Sequence, residues 1–167
     1  MADAMQGWTN FFVAEAGAAA ALAGLLFVAV SINLTRILEF ANLPARVVES
    51  LAAFIAVLFI ASFALAPQPL GVFGVETAST GVILLAINLM AFRADFKAGT
   101  ILRRELSSAR QVLRIVTNQI PPLPFIIGGV VIAMGHASGL YWLLPGTLIA
   151  FLSGLFGAWI LLIEIQR

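Results

Sequence analysis

From Phe11 to Leu34 the chain runs for 24 residues with a single ionisable side chain, Glu15. Wound as a helix at ~1.5 Å per residue, such a run exceeds the ~30 Å of hydrocarbon in a bilayer. Four further apolar segments follow, Val47–Ala66, Val75–Phe92, Leu113–Gly135 and Trp142–Ile163, separated by Pro, Gly and charge. Their residues show no strict apolar–polar alternation of the kind a barrel strand needs. The sequence therefore predicts an all-α integral membrane protein, one transmembrane domain over residues 1–167, built as a bundle of five spans.

Composition closes off the soluble alternative. Hydrophobic residues make up 62% of the chain and charged residues 10%, with a mean hydropathy of +1.06. Soluble domains run at about half apolar and about a quarter charged. A chain this poor in polar surface needs lipid as part of its solvent. Cysteine is absent, which removes disulfides, thiolate metal sites and cysteine nucleophiles. The first run reads as a retained span rather than a cleaved signal. Its flank, MADAMQGWTN, carries Asp3 and no basic residue, and the run is longer than a signal's apolar region.

Charge sets the expected orientation. With the N-terminus outside and five crossings, Arg36, Arg46, Arg93, Lys97, Arg103, Arg104, Arg110, Arg114 and Arg167 all fall on the inner side, and these are all nine Lys and Arg residues. Basic residues concentrate on the cytoplasmic side of membrane proteins. The C-terminus is then cytoplasmic, and a bacterial cytoplasmic (inner) membrane is the expected location. Trp8, Phe11, Phe12, Tyr141 and Trp142 form an outer aromatic belt. The "PPLP" stretch, with Pro121, Pro122 and Pro124, is expected to kink or break the fourth span. The basic stretch 93–112 reads as a cytoplasmic loop and helix that sets topology and meets anionic lipid. No feature points to nucleic acid.

Within the first span, Glu15, Ala19, Leu22, Leu26, Ala29 and Asn33 fall on one helical stripe, with Arg36 beside it. Glu15 and Asn33 are 18 residues apart, about 27 Å of helix, so the stripe has polar groups at both membrane boundaries. In a ring of copies this face would line a water-filled path, with a carboxylate at the mouth and leucines as constrictions. The plainer reading places Glu15 among the headgroups and gives Asn33 to a neighbouring helix. The opposite face carries Gly17, Gly24 and Ser31 at heptad spacing, and the fifth span carries Gly146, Ala150, Gly154 and Ala158 at i+4 steps. Small residues in such rows let helices approach closely.

Two polar sets complete the inventory. Asn88, Asn118 and Gln119, near the inner ends of their spans, form an expected inner polar layer, either interhelical glue or the lining of a vestibule. Glu15, Glu76 and His136 lie at similar outer depth and are weak candidates for a divalent cation site. Otherwise no metal or cofactor motif is present, and none is expected. An "LSGL" at Ser153 resembles the nucleophile loop of intramembrane serine proteases, but Phe151 stands where their first glycine belongs. His136, at the outer surface, is too far from Ser153 in depth to act as its base. The sequence thus predicts no enzyme. Its leading expectation is a homo-oligomeric channel with a weak cation preference, lined by the first span. The alternative is a non-conducting structural or regulatory subunit packed against another membrane protein.

Overall fold

Each apolar run becomes helix because a backbone N–H or C=O left unpaired in hydrocarbon costs several kcal/mol, and a helix pairs them within the segment. The computed structural model describes residues 5, 7–40, 43–97 and 119–165. Among them the elements are α1 (Thr9–Ile32), α2 (Leu34–Glu39), α3 (Leu43–Leu65), α4 (Leu70–Lys97), α5 (Pro122–Ala133), a 3-10 turn (Ala137–Gly139) and α6 (Leu140–Ile165), with no strand. The chain is all-helical over these residues. Four helical stretches are long and apolar enough to cross a membrane: Thr9–Ile32, Leu43–Leu65, Leu70–Arg93 and Ala137–Ile160.

The fourth predicted segment is only partly described, since residues 113–118 lie outside the described set, as does most of the basic stretch 93–112. What is seen is α5, at 12 residues too short to span alone. Pro121 is its N-cap and Pro122 its first residue. Proline is tolerated there because the N–H it lacks has no intrahelical partner. The opposite end stops on Gly135, at φ +88°. The His136 N–H donates to the Val131 carbonyl and the Gly135 N–H to that of Ile132, a paired closure that needs a left-handed residue at Gly135.

α3 packs against α1, α4 and α6, while α4 and α5 form the most extensive helix pair. The core joins Phe12 and Ala19 of α1, Val57 and Ile60 of α3, Phe73 and Leu84 of α4, Phe125 and Ile132 of α5, and Leu143 and Ala150 of α6. At the N-terminal end of α1 Trp8 meets Tyr141 edge-on at 5.2 Å and Phe12 meets Phe73 at 6.1 Å. These contacts fasten the start of α1 to α6 and α4. Large apolar side chains cover the outside, Leu25 at 69% and Ile32 at 78% exposure among them, as expected of helices solvated by lipid.

The α4–α5 contact runs backbone against backbone. A Cβ added at Gly74 would lie 2.7 Å from both Ala133 Cα and Gly129 O, and one at Gly129 would lie 2.8 Å from Gly74 O and from Ala78 Cα. Gly74 with Ala78 and Gly129 with Ala133 are thus two reciprocal small-residue pairs.

Candidate functional site

The α1 stripe does not behave as one surface. Ala19 and Leu26 are buried, Glu15, Leu22 and Asn33 are half-buried, and Ala29 is exposed. The buried members belong to the two core clusters, alongside Ala53 and Val57 for Ala19 and Phe54 for Leu26. The residues assigned to a shared water path therefore face, at these two levels, into the protomer itself.

The C-terminal half of the stripe lines a groove of about 310 Å³ between α1 and α6, floored by Phe54 of α3. Leu22, Leu26, Ala29 and Asn33 form one wall, and Leu155, Ala158, Trp159 and Leu162 the other. Asn33 ends α1 and precedes α2. Its amide Nδ2 donates to the Ala29 carbonyl at 2.9 Å, and its own backbone carbonyl accepts from the Ile37 N–H. The side chain thus satisfies a carbonyl that the end of α1 would otherwise leave open.

The opposite face of α1 is left open. Gly17, Gly24 and Ser31 are exposed, and a Cβ built at either glycine meets nothing within 4 Å. Ser31 Oγ donates to the Phe27 carbonyl of its own helix. The α6 row is used differently. A Cβ at Gly146 would come 2.6 Å from the Phe125 ring, one at Gly154 would come 2.5 Å from the Phe54 ring, and Ala150 is fully buried. Ala158, the last of the row, is half-buried along the groove.

The outer polar residues are dispersed. Glu76 accepts a hydrogen bond from Gln68 Nε2 at 2.7 Å, and the same amide donates to the Phe63 carbonyl, tying the "APQP" turn to α4. His136 is exposed at the end of α5. Glu15 has a buried Oε2 with no hydrogen-bond partner among the described residues. Among the described residues no three His, Asp or Glu side chains gather to hold a metal ion, so Glu15, Glu76 and His136 do not form one site.

Of the expected polar layer, Asn88 is buried at 4% exposure and Gln119 is half-buried, with its Oε1 enclosed and lacking a partner among the described residues. Asn118 lies outside the described residues. Sequence reasoning places Glu49 near the N-terminal end of α3 but does not single out Ser50 beside it. Glu49 and Ser50 are buried, Arg46 Nε is enclosed one turn earlier, and Ser50 Oγ sits directly against Gly157 of α6. The signal was present as "RVVES", three polar residues opening an otherwise apolar helix. The Gly74–Ala78 and Gly129–Ala133 pairs were also legible, as i+4 small residues, the first beginning one residue before the third predicted span and the second within the fourth.

No protein-family model, curated protein or solved structure matches this chain.

Proposed function

We propose that the chain is a non-conducting structural or regulatory membrane subunit whose first helix packs against another membrane protein. It crosses the bilayer five times, with the fourth crossing broken at PPLP and the N-terminus outside. A bacterial cytoplasmic membrane is the location that suits its one-sided basic residues. The observation that carries the reading is the outward face of α1. Only Phe12, Ala19 and Leu26 of its 24 residues are buried, yet its two glycines lie on the open side with nothing in reach. Lipid tails gain nothing from a glycine, whereas a second helix gains close backbone approach. The cytoplasmic arginines of 93–112 hold anionic lipid headgroups.

A homo-oligomeric channel is the second reading, and Glu15 is the observation in its favour. A carboxylate oxygen enclosed without a partner, at the outer end of a stripe that ends in Asn33, suits a cation-attracting mouth. It ranks second because lining a path with that stripe requires lifting Ala19 and Leu26 off α3. Ion flux in proteoliposomes separates the two. The subunit reading predicts no flux above protein-free vesicles and no change in Glu15→Gln. Flux that falls severalfold in Glu15→Gln would overturn it in favour of the channel.

A further inference from the structure

The groove between the inner halves of α1 and α6 has no part in the reading above. It does not reach the other end of the two helices, where Trp8 meets Tyr141 at 5.2 Å. From Leu22 to Asn33 it extends 11 residues along α1, about 16 Å of helix or half the hydrocarbon thickness of ~30 Å, and it ends at Ile37 of α2. A partner's transmembrane helix would need a groove running the full depth. One leaflet's acyl chain needs only this half.

A basic residue lies beside the Asn33 end. Apart from Asn33 the lining residues are apolar. One turn beyond Asn33, and next to the lining residue Ile37, is Arg36, exposed on α2. Glu39 follows a further turn along α2.

We propose that this groove seats one acyl chain of an anionic phospholipid, with its phosphate paired to Arg36. Assignment to the cytoplasmic leaflet rests on the orientation proposed above, while the lipid site itself does not. It is distinct from the basic stretch 93–112.

Trp159 lines the groove and serves as the reporter. The full chain carrying Trp8→Phe and Trp142→Phe keeps it as the sole tryptophan. This protein is reconstituted in phosphatidylcholine vesicles containing a few mole per cent of lipid brominated along its chains, either phosphatidylglycerol or phosphatidylcholine. Brominated phosphatidylglycerol is expected to quench Trp159 with about fivefold higher apparent affinity, the scale of one basic residue near an anionic headgroup. Arg36→Gln should abolish that preference while leaving quenching by phosphatidylcholine. Ala29→Phe, which fills the groove, should reduce quenching by both, with circular dichroism confirming the helices.

Equal quenching by the two lipids in the Trp159-only protein would overturn the proposal. So would a preference that survives Arg36→Gln, or a Trp159 shielded from both lipids, which would place protein over the groove. The vesicles have the same lipid in both leaflets, so the result does not depend on orientation or on a partner. Failure here is therefore distinguishable from failure of the subunit reading.

Discussion

α1 and the α4–α5 pair both place glycine in apolar helices, and they use it in opposite ways. In the pair, Gly74 and Gly129 are spaces already filled, each by the backbone of the other helix and its alanine neighbour. In α1, Gly17 and Gly24 face outward with no atom to fill them. The lesson is energetic. Between helices in lipid there is little hydrophobic drive, so close packing of small residues supplies much of the association. A helix pair that has spent its glycines is complete, whereas a helix that has not still has a contact to make.

The largest expected effect follows from the completed pair. Gly129→Val drives two methyl groups into the Ala78 and Gly74 backbone, which cannot yield as a side chain can. The loss of stability should reach about 3 kcal/mol, the upper part of the range for overpacking, read from reversible unfolding in mixed micelles. A loss below about 0.5 kcal/mol would mean that the helices do not touch there.

Gly154→Leu comes next. It collides with the Phe54 ring rather than with backbone, so about 2 kcal/mol is expected. Phe54→Ala should recover part of it in a double-mutant cycle, because the two changes share one space. Additive effects would separate Gly154 from Phe54. Gly135→Ala is smaller again, about 1 kcal/mol, since alanine must hold φ near +88°. Thermal unfolding checks it.

The smallest effect on the protomer belongs to α1. Gly24→Leu should change the stability of the isolated chain by no more than about 0.5 kcal/mol, while weakening its association with a partner at least tenfold. A destabilised protomer would show that this face is already used internally, and the contrast between the two regions would fail.

Four of the five predicted spans were legible because length and hydropathy specify them. Phe11–Leu34 corresponds to Thr9–Ile32 with a break at Asn33, and Trp142–Ile163 to a helix over Leu140–Ile165. Which face of each helix turns inward was much less legible. A soluble helix announces its buried side by polarity, whereas here both sides are apolar, so the Glu15–Asn33 stripe could be traced without revealing that Ala19 and Leu26 pack on α3. Ile32-Asn33-Leu34 and Ile87-Asn88-Leu89 make the same point. Asn33 lies at a helix break while Asn88 is buried within a continuous helix. The triplet is identical, and the tertiary surroundings decide the outcome. The α6 row shows the converse limit. Its spacing marked close packing, and only coordinates could name Phe125 and Phe54 as the groups that close on it.

Photo-cross-linking in the native membrane tests the central claim most directly. With p-benzoylphenylalanine in place of Phe27, which is 65% exposed and three residues from Gly24, the account predicts one adduct between this 17.7 kDa chain and a different polypeptide. The same probe in place of Phe156, equally exposed on α6, should yield none. A ladder at multiples of the chain's own mass would contradict the subunit reading in favour of a ring of copies. No protein adduct from Phe27, despite an active probe, would contradict the claim that anything but lipid covers this face.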